Sequence, residues 1–438
     1  MRETAPAGQQ DLDSGVLGEL RSLTQALMAA KPGAAEERAR FLALRSRAIP
    51  VPEDELATWL GGATVLVTGG TGCIGSALLR ELARRSPRRV VSVSRGLTLR
   101  WPRVATAEYA HADIRDRAGL AAIFAAVRPD VVFHLAAQRD PGLAEREVHH
   151  TVTTNVLGTS NVICAAEDSA VSRVVVASTG KALRPYSPEV YTATKRAVEW
   201  LTADAARSGR ASYAAARFTH AVDNSIIYDR LTGWCQGGIV RLHDPDIMFY
   251  AQSAQEAAQL LLVAGLRAGR GELRAHAVAD LGWPVSLLDL ALGVLGEAGS
   301  CAPVYFSGYE AGYESMPFPG LYDPRTAGDV SPLLNAFEAP TAAHTASPAS
   351  DEFTVPFRAC PPGRAALREL RDACATGQPE PVREALDALS WWLLDATLSV
   401  VPRETLARMA GLTARFEDGL SPEYQRILAA LRQHAALA

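Results

Sequence analysis

The stretch Val65–Ser76, Val-Leu-Val-Thr-Gly-Gly-Thr-Gly-Cys-Ile-Gly-Ser, constrains the fold more than any other part of the chain. A short apolar run with the look of a buried strand enters a turn carrying Gly69, Gly72 and Gly75, and an amphipathic segment, Ala77–Arg85, then predicts a helix. A strand, turn and helix in that order gather free backbone N–H groups and the positive end of a helix dipole at one point, where a pyrophosphate is favoured. Gly69, Gly72, Cys73, Ile74 and Gly75 are therefore the candidate pyrophosphate cradle. The setting of these glycines, with a further strand expected at Arg89–Val93, makes the motif specific.

From Ala63 onward strand and helix patterns alternate. Val65–Thr68, Arg89–Val93, Ala107–His111, Val131–Leu135 and Arg173–Ala177 read as strands, with Leu120–Val127 and Thr154–Ser169 among the intervening helices. This alternation predicts an α/β fold of the Rossmann type, a doubly wound parallel sheet whose ligands collect beyond the carboxyl ends of its strands. Three further segments fall at such ends: Asp113-Ile114, His134-Leu135-Ala136-Ala137-Gln138 and Ser178-Thr179-Gly180-Lys181. About sixty residues before the glycine turn carry a helical apolar period broken at Pro32-Gly33 and again at Pro50 and Pro52, and read as an extension of two short helices over residues 1–60. The alternation runs over 61–340 and loosens past Arg217, which predicts a smaller substrate-binding lobe over about 217–340. Thr341–Glu352, rich in Ala, Ser, Thr and Pro, reads as part of a linker over 341–360. Arg364–Ala375, Pro381–Ser399, Arg403–Phe416 and Pro422–Ala435 predict four helices in a C-terminal region over 361–438.

Apolar content of 48% and a formal net charge of -4 over 438 residues describe a globular protein with ample core. No basic stripe with interleaved aromatics points to nucleic acid, and six scattered cysteines without a Cys-x-x-Cys pair point to neither zinc nor a disulfide framework. Met1–Asp13 is polar, and no apolar run is long enough to span a bilayer, so the expected location is the cytoplasm, with no membrane partner.

At the end of the second strand, where an NAD enzyme places an acid on the ribose, stands Ser94-Arg95. An arginine with no carboxylate beside it favours a 2′-phosphate, so NADP(H) is the expected cofactor and NAD(H) the alternative. Tyr191 and Lys195 sit one turn apart on an expected helix. The ammonium can lower the phenol's pKa and reach a nicotinamide ribose, and the phenol can exchange a proton with an alcohol or ketone. Ser178 and Thr179 precede this pair as candidate hydroxyl partners.

Thr68–Gly75, Phe133-His-Leu-Ala-Ala137, Thr154-Asn155-Val-Leu-Gly-Thr159 and Tyr191–Lys195 together resemble an extended short-chain dehydrogenase/reductase. Ser94-Arg95, Ser178-Thr179-Gly180-Lys181-Ala182 with Pro185, and Asp244-Pro-Asp246 leading to Ala254–Ala258 are similar to the polysaccharide-biosynthesis branch, that of the UDP-N-acetylglucosamine 4,6-dehydratases and their epimerising relatives. The resemblance runs from about Arg47 to about Asp387. It implies a homo-oligomer acting on a sugar or sugar nucleotide by hydride transfer at a sugar hydroxyl. It adds Asp113, Ile114, Leu135, Ala136, Ala137 and Asn155 to the cofactor site, Lys181 to the catalytic set, and Gln138, Arg139, His220 and Asn224 to the substrate side.

The chain departs from that family where dehydration is decided. Gly180 stands in place of the acidic residue, Glu189 is a candidate substitute, and Glu310 stands where an arginine grips the diphosphate. C4 epimerisation or ketoreduction, neither of which needs the missing acid, is the alternative outcome. A non-catalytic cofactor-binding scaffold is the alternative class.

Overall fold

The computed structural model describes residues 1–9, 11–96, 100–313, 333–341, 343–354, 361–414 and 422–437. Part of the aromatic-rich stretch Tyr305–Pro324, the end of the expected linker with Cys360, and the end of the expected helix Arg403–Phe416 lie outside these residues. The chain divides into two units, one formed by Met1–Ala48, Thr219–Ala257 and Asp280–Ser315, the other by Ile49–Phe218, Ala258–Ala279 and Met316–Ala438.

The larger unit is built on one sheet with nine strands among the described residues, numbered here along the chain: β1 Thr64–Thr68, β2 Arg89–Ser94, β3 Ala107–His111, β4 Val131–His134, β5 Arg173–Thr179, β6 Ser212–Phe218, β7 Arg274–Val278, β8 His344–Ala346 and β9 Ser350–Thr354. Their order across the sheet is β8-β9-β7-β6-β5-β4-β1-β2-β3. The pairings from β3 to β7 are parallel, and β9 joins β7 antiparallel. The chain runs outward from β1 to β3 and then restarts beside β1 at β4. With right-handed crossovers this reversal puts helices on both faces and splays the loops after β1 and β4 apart. Strand β1 is buried throughout, as a central strand covered on two faces requires.

Two sequence expectations change here. Thr341–Glu352, read as linker from its small polar residues, contains β8 and most of β9, an antiparallel hairpin closing the sheet edge. Strand β9, second from the edge, carries little apolar patterning: Phe353 and Ser350 are buried while Asp351, Glu352 and Thr354 stay half-exposed, and Glu352 pairs with Arg274 of β7 at 2.9 Å. The extension, read as two short helices, gains a third, Glu53–Leu60, directly after the break at Pro50 and Pro52. Proline is tolerated at a helix start, and Glu53, Asp54 and Glu55 in the first turn favour the dipole.

The C-terminal helices Pro361–Ala375, Pro379–Leu398, Arg403–Ala414 and Pro422–Leu437 belong to the larger unit. Leu394, Leu398, Leu406, Met409, Ile427 and Leu431 form a core with Tyr186, Ala336 and Phe337. The smaller unit has its own core, in which Phe41 and Leu44 of the N-terminal segment meet Val240, Leu290, Leu295 and Val304.

Candidate active site

The site in the larger unit begins at the turn after β1. Gly69 has a φ of +73°, and a Cβ there would lie 2.8 Å from the backbone nitrogen of Ala136, so no other residue fits both the turn and the approach of the loop after β4. A Cβ at Gly75 would lie 2.7 Å from the Gly70 Cα and overlap the Gly69 carbonyl, so the helix Cys73–Ala83 rests directly on the turn. That helix starts at Gly72 with no side-chain cap, leaving its N-terminus open to an external acceptor. A cradle that side chains would fill is the fit expected of a dinucleotide pyrophosphate.

The histidine of the Phe-His-Leu-Ala-Ala motif holds this end of the sheet together. His134 is buried, with Nδ1 2.7 Å from Thr68 Oγ1 and Nε2 2.9 Å from Thr159 Oγ1. Thr68 Oγ1 also accepts from the backbone of Leu135 and Ala136, and Thr159 donates to the Asn155 carbonyl. The consistent assignment has Nε2–H donating to Thr159 and Nδ1 accepting from Thr68, a neutral ring. Burial first, then Lys195, pushes the imidazole's pKa down to about 3, so it stays neutral. Three motifs far apart in sequence are thus one hydrogen-bonded unit.

Asn155 lies in a π-helical turn, Thr153–Leu157, with its side chain buried. Its Oδ1 accepts from the Gln138 backbone N–H at 2.8 Å, and its Nδ2 donates to the Gln138 carbonyl and to Thr194 Oγ1. Asn155 therefore fixes the course of the chain after β4. Leu135, Ala136, Ala137, Asn155, Ala177 and Lys195 line one small cavity at the carboxyl ends of β4 and β5.

Tyr191 and Lys195 lie on the helix Val190–Ser208. Burial pushes the Tyr191 phenol up to about 12, opposed by the charge of Arg139 and by a hydrogen bond with Thr179. The cation acting on the phenol is thus Arg139. Lys195, expected from sequence to do this, donates to the Ala177 carbonyl at 2.6 Å. Burial lowers its pKa to about 8, against the pull of Glu199. The two hydroxyls that end β5 separate in role: Thr179 faces Tyr191, while buried Ser178 donates to Glu199 Oε1 at 2.5 Å.

Glu199 belongs to a buried network that the sequence did not reveal. Arg217 donates to both its oxygens at 2.8 Å and to both oxygens of Glu338, and Arg196 donates to Glu338 at 2.9 Å. Burial works against the Arg217 charge, but Glu199 and Glu338 overcome it and hold the guanidinium protonated. Two acids and two arginines balance, the condition under which such burial is tolerated.

A Cβ on Gly180 would lie 2.9 Å from Leu333 Cδ2, so the space of the family's acid is taken by an apolar side chain. Lys181 follows, 3.8 Å from Glu189 Oε2. Glu189 is buried at the start of the helix Val190–Ser208, is also 3.7 Å from Arg184, and accepts from Thr192. It is held by cations rather than solvated in a loop. The loop before that helix is clasped from the C-terminal region: Glu145 accepts from Val190 N–H at 2.7 Å, and Arg383 donates to Glu145 at 2.7 Å. Tyr186 donates to Asp387 at 2.5 Å and stacks on Trp391.

On the adenosine side, Ser94 Oγ lies 3.4 Å from Thr71 N–H of the glycine turn. Arg95 is exposed with Nη1 3.0 Å from His150, and Asp113 is held well below the usual carboxylate range by its hydrogen bonds with Arg115. Ile114 is buried against the position of Gly158. His220 and Asn224 fall in the smaller unit. His220 Nε2 is 2.6 Å from Ser225 Oγ with its ring against Phe249, and Asn224 is buried. Glu310 is exposed in that unit, near the stack of His243 on Tyr309.

The reversed parallel sheet, the glycine turn after its first strand and the Tyr191–Lys195 helix define an extended short-chain dehydrogenase/reductase of the polysaccharide-biosynthesis branch. The model of the family described as polysaccharide biosynthesis protein matches residues 65–309, more than half of the chain, and the chain belongs to that family. It is 29% identical over 272 residues to the capsular polysaccharide biosynthesis protein CapD of Staphylococcus aureus, covering 58% of this chain and 45% of CapD. It is 31% identical over 143 residues to a UDP-N-acetylglucosamine 4,6-dehydratase (inverting) of Campylobacter jejuni, covering 31% of this chain and 42% of that one. The chain spans about half the length, or less, of these curated relatives. Among solved structures, Pen from Bacillus thuringiensis shares the fold with a TM-score of 0.57 and 22% identity, covering 68% of this chain and 89% of Pen. Among the described residues no helix is long and apolar enough to cross a membrane.

Proposed function

We propose that the chain is an NADP(H)-dependent enzyme that modifies a sugar nucleotide, beginning with oxidation of a ring hydroxyl. The observation that carries this reading is the joint placement of Tyr191, Thr179 and Lys195 at the carboxyl ends of the strands, beside the cavity lined by Leu135, Ala136 and Ala137. The Campylobacter relative's activity on a UDP-sugar supports the substrate class. Gly69, Gly72 and Gly75 would hold the pyrophosphate, Ser94 and Arg95 the adenosine ribose and its phosphate, and Lys195 the nicotinamide ribose. A bound nicotinamide supplies the hydride acceptor and, on return, the donor.

The residues handle the protons. Tyr191 takes the hydroxyl proton, Thr179 and Arg139 stabilise the phenolate, and the neutral His134 unit keeps the loop after β4 fixed around the cofactor. The net outcome is read from Gly180. With Leu333 against it and Glu189 tied to Lys181 and Arg184, no acid among the described residues stands ready at that position to expel a hydroxyl. This favours return of hydride to the oxidised carbon, giving epimerisation, over elimination; ketoreduction would be the single half-step in which NADPH delivers hydride to a ketone substrate.

Incubating the protein with NADP+ and UDP-N-acetylglucosamine, and analysing products by mass spectrometry and chromatography, tests the reading. The expected product keeps the mass of the substrate or changes only by the two hydrogens of a redox step, and Tyr191→Phe lowers its rate by roughly a hundredfold to ten-thousandfold. Turnover that survives Tyr191→Phe refutes the mechanism, and loss of water refutes the outcome. An absence of turnover on every sugar nucleotide tried, with tight cofactor binding, favours the scaffold reading instead.

A further inference from the structure

Beyond the glycine turn, three basic side chains from three separate segments meet. Arg95 follows β2, Arg115 follows β3, and His150 lies in the helix Val148–Val152. His150 Nε2 is 3.0 Å from Arg95 Nη1, and its Nδ1 is 3.0 Å from Arg115 Nη1. A guanidinium has only donors, and a neutral imidazole has one acceptor nitrogen. At one of the two contacts an N–H must therefore face another N–H, and the trio is not satisfied by its own members. Arg115 is not free to turn away, because Asp113 grips its Nε at 3.1 and 3.0 Å and accepts from its Nη2. An anion among the three would give every donor a partner.

We propose that His150 joins Arg95 and Arg115 as a three-sided seat for the 2′-phosphate of NADP(H), binding it as the imidazolium. The inference rests on the NADP(H) reading above and adds to it a residue that chooses the cofactor. Its position agrees: Ser94, next to Arg95, lies 3.4 Å from the glycine turn, which puts the trio on the adenosine side of the pyrophosphate cradle. The charges agree as well. Asp113 offsets Arg115, leaving Arg95 in excess, and a phosphate monoester brings nearly two negative charges near neutral pH. The groups that bear on the ring are Arg115, Arg95, Glu147 and Asp113. Without the phosphate, burial and then the two arginines hold His150 below its ordinary pKa, against Glu147 and Asp113, so the ring is neutral. A phosphate dianion adds charge of the opposite sign and draws a proton onto it. Cofactor binding is then coupled to proton uptake, for NADP+ and not for NAD+.

Isothermal titration of both nucleotides into the substrate-free protein at about pH 7.5, above the second phosphate pKa, in two buffers of different ionisation enthalpy, tests this. The wild type should take up a fraction of a proton with NADP+ and none with NAD+. His150→Asn should abolish the uptake and weaken NADP+ roughly tenfold while leaving the NAD+ affinity unchanged, which also reports that the variant is folded. If the wild type prefers NADP+ but His150→Asn changes neither the preference nor the uptake, or weakens both nucleotides alike, the seat does not include His150. If the wild type binds the two nucleotides equally, the NADP(H) reading itself fails.

Discussion

In the proposed mechanism Lys195 serves catalysis at the expense of the fold, and the cost can be measured. An ordinary lysine ammonium titrates near 10.4. Burial lowers that of Lys195 to about 8. Each unit of pKa displacement is worth about 1.4 kcal/mol, so at pH 7, where the group is charged in both states, its burial destabilises the fold by about 3 kcal/mol. Lys195→Met removes that burden and also gives up the charged hydrogen bond from Nζ to the Ala177 carbonyl, worth about 1.5–3 kcal/mol. The variant should be more stable by up to about 1.5 kcal/mol at pH 7, roughly 1–2 °C in Tm for a chain of this size, while its kcat falls at least a hundredfold. The sign with pH follows. The folded pKa lies below the unfolded one, so the penalty is complete below about 8 and fades as pH rises toward the unfolded value. The wild type gains on the variant through that window, and the gap in Tm closes. Thermal denaturation of both proteins without nucleotide, from pH 7 to pH 10, is the assay. A variant less stable at pH 7, with a gap that does not move with pH, would refute the argument.

Arg383→Ala should lower kcat by about tenfold with little change in nucleotide affinity, because Glu145 loses its partner and the Val190 N–H its fixed acceptor; Arg383→Lys should recover part of the rate, and equal losses in kcat and nucleotide affinity would contradict this. Gly180→Asp should cost about 1 kcal/mol through its contact with Leu333. In a double-mutant cycle with Leu333→Ala, denaturation should show the pair more stable than the sum of the single changes, and strict additivity would mean that the two positions do not press on each other.

What was legible in the sequence is what local geometry dictates. Gly69 and Gly75 are glycines because backbone atoms occupy the space of a side chain, and such a demand leaves its mark on the sequence whatever surrounds it. Tyr191 and Lys195 are one helical turn apart, so their shared face follows from spacing alone. The partners of these residues were not legible. Glu199, Arg217 and Glu338 come from a helix, a strand and a later segment, and buried charges run against every expectation drawn from hydrophobicity. That same network explains why Ser178 and Thr179, alike by sequence, differ in role: Glu199 accepts from the first, and the second is left for Tyr191. Likewise the charge of Arg139 bears on the Tyr191 phenol, a relation that depends on the path Asn155 imposes after β4.

The C-terminal region carries this reasoning beyond the family match, which ends at residue 309. On the helix Pro379–Leu398, Arg383, Asp387 and Trp391 recur every four residues and so form one stripe. Each meets the approach to the catalytic helix: Arg383 through Glu145, Asp387 and Trp391 through Tyr186. Thr397, further along, accepts from Arg196, one residue past Lys195. Polar contacts at Arg383, Asp387 and Thr397 would be wasted if the region served only to fill a core, since apolar residues would bury as much surface without the need for matched partners. These contacts fasten the helical region to the start of the Tyr191 helix and to Arg196 within it. If the proposed function holds, a truncation before residue 361 should impair turnover even where the glycine turn still binds nucleotide.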